Sequence, residues 1–228
     1  MIAREGLLFV LSGSLLTIFT IWIANKLDSN WLFALSLALG ALTLFTTYFF
    51  RDPERNIPQQ AGILVAPADG KVVLIDTLDS HDFVGEPVIQ VSIFLSIFDV
   101  HVNRTPCSGQ VEYVKYNPGK FLAAFNDKAS IENEQTEIGL VTPTGHKIAF
   151  KQIAGLIARR IVCNLTEGDS VSTGERFGMI RFGSRADLLF PAGASVGVSV
   201  GDRVRGGASI IGYLPTDERE NAKGRGDA

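Results

Sequence analysis

Two charge-free apolar stretches, followed by many short Val- and Ile-rich runs punctuated by Gly and Pro, set the fold class. They predict a mainly β domain, sandwich- or barrel-like with a few short helices, preceded by an N-terminal transmembrane helical hairpin. The 228 residues suffice for one or two domains with a sizeable core. A formal net charge of −3 carries no basic footprint, which argues against a nucleic-acid partner. Cys107 and Cys163 are far apart and lack metal-ligand spacing, so two free thiols and no metal are expected. His81, His101 and His146 are the whole supply of side chains that titrate near neutral pH.

The membrane anchor is assigned to residues 1–55. Gly6 to Ala24 and Trp31 to Phe50 each have about the length a helix needs to cross the hydrocarbon core. Asn25 to Asn30 is a short polar linker, and Trp22, Trp31 and Tyr48 fall where amphipathic rings favour the interface. A cleaved signal peptide is disfavoured, because no small-x-small site follows Ala24 and a second apolar span arrives at once. Two buried core helices are the other reading, opposed by apolar character all round each segment. Arg4 before the hairpin and Arg51 and Arg55 after it, against Lys26 in the loop, place the C-terminal part in the cytoplasm at the inner membrane.

Residues 56–215 form the expected catalytic β domain. Pro53 cannot continue a helix, and the pattern then changes to strands. Candidates are Val72–Ile75, Val88–Ile97, Val111–Tyr116, Ile138–Val141, Ile148–Ile153, Ile161–Leu165, Met179–Phe182 and Ile210–Tyr213. Phe121–Ser130 reads as a short helix, and residues 216–228 as a disordered tail. One repeat stands out: Gly168-Asp169-Ser170-Val171-Ser172-Thr173-Gly174 returns as Gly201-Asp202-Arg203-Val204-Arg205-Gly206-Gly207. It resembles the turn of biotinyl- and lipoyl-type modules and predicts a quasi-symmetric β domain. Residues 175–200 contain no lysine, which argues against a swinging-arm carrier.

Three places can carry chemistry. Asp69 lies between Pro67 and Gly70 just before a strand, where a turn aspartate is common. In Phe94 to Pro106 a long apolar run breaks into Asp99, His101, Asn103 and Arg104, a concentration of polar groups that would be costly to bury unpaired. In Arg181-Phe182-Gly183-Ser184-Arg185, glycine removes bulk before a serine that can act as a nucleophile. Ser184, His101 and Asp69 are the makings of a serine hydrolase, but the Gly-x-Ser-x-Gly elbow is absent. These residues leave two options open: Ser184 attacks a substrate, or it attacks its own peptide bond.

The ordered set of motifs resembles phosphatidylserine decarboxylase proenzymes of the short, archaeal-related type. The matching pieces are Phe49-Phe50-Arg51-Asp52-Pro53-Glu54-Arg55, Ala66-Pro67-Ala68-Asp69-Gly70, Phe94-Leu95-Ser96 through Arg104, Pro118-Gly119-Lys120-Phe121, Glu132-Asn133-Glu134, Ala154-Gly155 through Arg160, and Arg181 to Arg185. The resemblance implies self-cleavage between Gly183 and Ser184, with Ser184 converted into a covalent pyruvoyl group. It also implies decarboxylation of phosphatidylserine to phosphatidylethanolamine, with the pyruvoyl group as the electron sink. His101 takes the family's role in the decarboxylation step, and Asp69 the role associated with self-cleavage. Longer bacterial members carry a second histidine where this chain has Arg104, which leaves open which base activates Ser184; His146 is a candidate and His81 carries little weight.

Lys120, Arg159, Arg160 and Arg185 are expected to meet the lipid phosphate, because ammonium and guanidinium groups suit phosphate oxygens. The two fragments, 1–183 and 184–228, are expected to stay together as a heterodimer, with further dimerisation plausible by resemblance. Archaetidylserine shares the head group and is the alternative substrate. A membrane-anchored serine hydrolase and a non-catalytic β-sandwich adaptor are the alternatives from other classes.

Overall fold

The computed structural model describes residues 1–85, 87–119, 133–155, 161–181 and 184–215, which form two compact units, Met1–Glu54 and Arg55–Ala228. The expected short helix Phe121–Ser130 and the tail 216–228 lie outside the described residues, and no other helix occurs in the second unit among the described residues.

The first unit is a helical hairpin of α1 (Arg4–Leu27) and α2 (Asn30–Phe49), both long and apolar enough to cross a membrane. The helices run further toward each other than the linker predicted, leaving only Asp28 and Ser29 as the turn. Asp28 adopts the left-handed conformation, φ 46°, that caps helix ends and that a short polar side chain tolerates. The helices meet through small residues: a Cβ on Gly6 would lie 2.3 Å from the Phe50 ring, and one on Gly13 2.7 Å from Thr43 Oγ1. Ser14, Thr17, Thr43 and Thr47 each donate to the carbonyl four residues back, at 2.7–2.9 Å, so these hydroxyls need no water. The outward side chains are apolar and exposed, among them Leu8, Leu15, Ile18, Leu37 and Leu44. The ends are tied together where Ala3 N–H donates to Phe50 O and Asp52 N–H to Met1 O, both at 2.8 Å.

The second unit consists of strands numbered along the chain, arranged as two like halves. One half contains β1 (Ile63–Val65), β2 (Gly70–Leu78), β3 (Val88–Leu95), β11 (Ser184–Pro191), β12 (Ser195–Val196), β13 (Arg203–Val204) and β14 (Ile210–Tyr213). The other is the continuous segment of β4 (Val102–Arg104), β5 (Gly109–Asn117), β6 (Gln135–Val141), β7 (Lys147–Ile153), β8 (Ile161–Cys163), β9 (Ser170–Val171) and β10 (Arg176–Ile180). The large sheet runs β13-β2-β3-β11-β7-β6-β5-β9, and two three-stranded sheets run β1-β14-β12 and β4-β10-β8. Each ladder in one half therefore has its counterpart in the other, with β11 and β7 meeting at the centre.

The repeat seen in the sequence is the structural repeat. Val72 and Val111 N–H groups donate to the carbonyls of Asp202 and Asp169, at 2.9 and 2.8 Å. Gly207 and Gly174 N–H groups donate to Ala66 and Thr105, at 2.9 and 2.8 Å. The two Pro-containing turns interlock: Val65 N–H reaches Pro106 O and Arg104 N–H reaches Pro67 O, at 2.8 and 2.9 Å. Between the layers, Val72, Val91 and Leu188 of one half bury their side chains in one core with Val111, Ile138 and Phe150 of the other.

Candidate active site

The second half is inserted into the first between β3 and β11, so the chain re-enters the first half at Ser184. That residue is in a strand. It begins β11, a strand buried along its whole length and hydrogen-bonded to β3 on one side and β7 on the other. Side chains alternate along a strand, so Ser184 and Ala186 share the face of the core residues Leu188 and Phe190. Ser184 is 0 % exposed, and its Oγ has no hydrogen-bond partner among the described residues. An unbonded hydroxyl in the interior is costly and marks a residue kept for something other than stability. Phe182 and Gly183 lie outside the described residues.

The register brings the other candidates to the same end of the sheet. Ser184 pairs with Leu95, and Lys71 pairs with Phe94, so Asp69 in the turn before β2 lies at the level of the end of β3. Gly70 must be glycine there, because a Cβ would lie 2.2 Å from Phe94 O. Ala68, Leu95 and Ala186 form a small buried apolar cluster beside these polar groups. His101 immediately precedes β4, and its carbonyl accepts a long 3.4 Å bond from Ile180 N–H, four positions before Ser184.

Asp69 is held from two sides. Its Oδ2 accepts from Arg55 Nη2 at 2.7 Å, and its Oδ1 from Gly206 N–H at 2.8 Å. Burial pushes its carboxyl above the ordinary range; the Gly206 N–H and the Arg55 guanidinium oppose this, while the nearby Asp99 adds to it. Asp99 closes its own loop, its Oδ2 accepting from Ser96 N–H at 2.9 Å and from Ser96 Oγ at 2.7 Å. That loop presents the Asp99 carbonyl to His101 Nδ1 at 2.9 Å. A carbonyl only accepts, so Nδ1 carries the proton, and Nε2 is the basic nitrogen of the neutral imidazole. His101 is 0 % exposed. Asn103, two residues on, accepts at Oδ1 from Gln152 Nε2 at 2.9 Å, and Gln152 is the cross-strand partner of Ala186.

Other candidates are placed elsewhere or are already bound. His146 sits in the β6–β7 turn, with Nε2 3.0 Å from Pro215 O. The β7 residue beside β11's start is Ile153, at the far end of a strand about 20 Å long. His81 lies over the large sheet with Nε2 3.3 Å from Glu137 Oε1, in a cluster where Lys151 Nζ is 2.8 Å from Glu137 Oε2 and Tyr113 OH also donates to Glu137. Arg104 is buried, with Nη1 donating to Gly174 O at 2.9 Å where the two turns interlock. Arg185 faces away from Ser184, and its Nε and Nη2 are given to Asp187 Oδ1 and Ser92 Oγ, each at 2.6 Å. It is 2 % exposed, a placement that does not suit contact with a lipid phosphate. Lys120, Arg159 and Arg160 lie outside the described residues.

Two contributors were missed in the sequence. Arg55, read for membrane orientation and as the end of a family motif, is the ionic partner of Asp69, and Gly206, read only as a turn residue, is its backbone donor. The repeat around Gly206 was the available signal, since it announced a turn folded back onto the start of β2. Both cysteines are free, and burial pushes the Cys107 thiol up to about 12.

Residues 42–212 match the family model for phosphatidylserine decarboxylase. A phosphatidylserine decarboxylase proenzyme of Symbiobacterium thermophilum is 48 % identical over 214 residues, covering 94 % of this chain and 96 % of that one. One from Desulfotalea psychrophila is 44 % identical, covering 93 % and 96 %. One from Salinibacter ruber is 51 % identical over 187 residues, covering 81 % and 82 %.

Proposed function

The chain belongs to the phosphatidylserine decarboxylase family, and from that premise we propose that it cuts itself between Gly183 and Ser184 and decarboxylates phosphatidylserine to phosphatidylethanolamine. The observation that carries the position of the cut is the Ser184 hydroxyl, fully buried and unbonded among the described residues, at the junction where the inserted half ends. Self-cleavage needs that oxygen to attack the Gly183 carbonyl, moving the acyl group from nitrogen to oxygen; β-elimination then expels Gly183 as a carboxylate, divides the chain and leaves dehydroalanine, whose imine tautomer takes up water and releases ammonia to give the pyruvoyl group.

The pyruvoyl group that the family implies fits this residue: a serine oxygen committed to no other contact among the described residues is free to be consumed. Once formed there, the group would supply an electron sink for the electron pair left on the substrate's α-carbon when the carboxylate departs as carbon dioxide. His101 acts in both stages. Its Nε2, made basic by the Nδ1–H···O=C bond to Asp99, accepts the proton of Ser184 Oγ, and later a protonated Nε2 returns a proton to the substrate carbon. Arg104 does not replace a second histidine as a base, because a guanidinium keeps its proton. Asp69, fixed by Arg55 and Gly206 beside Asp99, sets the charge of the site during self-cleavage.

The α1–α2 hairpin anchors the enzyme in the inner membrane with the β unit in the cytoplasm, where a diacyl substrate is presented at the bilayer surface. The fragments 1–183 and 184–228 remain associated, because β11 is a central strand paired on both sides. Lys120, Arg159 and Arg160 are the proposed phosphate contacts. Replacing Ser184 with alanine tests the assignment: the variant stays in one piece and produces no phosphatidylethanolamine, whereas decarboxylation by an uncut Ser184→Ala chain would contradict it.

A further inference from the structure

Arg185 and Asp187 lie just after the proposed cut site, on the face of β11 opposite Ser184. Both are charged, yet they are 2 % and 1 % exposed. Arg185 donates from Nε to Asp187 Oδ1 and from Nη2 to Ser92 Oγ, each at 2.6 Å. Gln90 Nε2 completes the network, 3.1 Å from both Asp187 Oδ2 and Ser92 Oγ. Ser92 and Gln90 belong to β3, where they pair with Asp187 and Leu189. The side chains thus bolt the start of β11 to its neighbour, in addition to the backbone ladder.

Stability alone is a poor reason for this arrangement. Desolvating two charges offsets most of their attraction, and apolar side chains would fill the same space at similar or lower free energy. Location gives a better reason. Among the described residues Ser184 is the last rung of the ladder: it pairs with Leu95, while pairing toward β7 begins at Arg185 with Ile153. Strand ends open most easily. In the uncut chain the bond to Gly183 restrains Ser184; after self-cleavage that restraint is gone.

We propose that the Arg185–Asp187 bridge, with Ser92 and Gln90, is a positioning clamp that holds residue 184 in register once the chain has been cut. The proposal rests on the self-cleavage reading above. Its side chains touch neither substrate nor the reacting atoms and act through the backbone of β11.

The test compares Arg185→Gln in two backgrounds, the self-processing chain and the uncut Ser184→Ala chain. Hydrogen exchange of the amides of residues 185–187 is the readout, with kcat and KM measured on the processed form. Arg185→Gln is expected to speed exchange about tenfold in the cut protein and less than about threefold in the uncut one. In the cut protein kcat falls about tenfold with KM nearly unchanged, as expected when the reacting group is misplaced by a fraction of an ångström. Equal acceleration in both backgrounds overturns the clamp, since an ordinary buried ion pair would act alike in each. A wild-type chain that stays in one piece overturns the self-cleavage reading and the clamp together. Should Arg185→Gln fail to fold, Arg185→Met with Asp187→Leu refills the space without charge and gives the same comparison.

Discussion

The two halves of the β unit share a backbone plan and differ in what they place at one junction. In the second half, β6 turns directly into β7 through Thr142 to His146, closed by Thr142 N–H donating to His146 O at 2.9 Å. In the first half the same junction, between β3 and β11, is opened by the whole inserted half, and Ser184 stands where the chain returns. The interlocked turns differ likewise. Ser108 Oγ accepts from Thr173 N–H at 2.9 Å, whereas Asp69 Oδ1 accepts from Gly206 N–H at 2.8 Å and also binds Arg55. A neutral turn in one half is an ionic one in the other. The fold therefore supplies the frame twice, and the proposed chemistry lies where the frame is interrupted and charged.

Substitutions at matched positions would break or sharpen that contrast. The largest effect is expected from the histidines. His101→Ala should slow self-cleavage about 10²- to 10⁴-fold, with phosphatidylethanolamine formation limited to whatever fraction is cut, while His146→Ala should change neither by more than about twofold. Normal cutting by His101→Ala with lost turnover would show that another group activates Ser184. Next come the turns. Asp69→Asn should slow self-cleavage about 10- to 100-fold in a time course of fragment appearance. Ser108→Ala should leave cleavage unchanged and cost about 1 kcal/mol of stability in denaturant titration, the value of one lost hydrogen bond.

The last contrast lies away from the junction, at Glu137, where self-cleavage is expected to be unaffected. Burial alone would raise its carboxyl, but the bonds from His81, Lys151 and Tyr113 hold it well below the usual carboxylate range. A depressed folded-state value means stability that is fully present above the unfolded value of about 4.3 and lost as pH falls toward the folded value. Glu137→Gln should therefore cost about 2 kcal/mol near neutral pH, and the gap to the wild type should narrow as pH drops below about 4. A gap independent of pH would contradict the assignment.

The hairpin was legible because its apolar character is local and continuous. So were most of the longer strands, and the Gly-Asp repeat that announces two halves. What escaped, besides the short β1, β4, β9, β12 and β13, was β11. Its sequence, Ser184-Arg185-Ala186-Asp187-Leu188-Leu189-Phe190-Pro191, opens with two charges that read as surface residues. They are buried because they satisfy each other and Ser92, a relation that no local pattern reveals. The second Pro-x-x-Gly turn, Thr105 to Gly109, was visible beside Ala66 to Gly70, but its meaning depends on contacts across the whole unit. Of the site itself, Ser184, His101 and Asp69 could be named from the ordered motifs. The Arg55 and Gly206 partners of Asp69 could not, since each is brought in from a distant part of the chain.

The central claim is that the interrupted junction is where the protein cuts itself, and intact mass spectrometry of the purified full-length protein tests it most directly. The account predicts two chains, residues 1–183 and residues 184–228, the smaller lacking a free amino terminus. A single uncut chain that converts phosphatidylserine to phosphatidylethanolamine would contradict it.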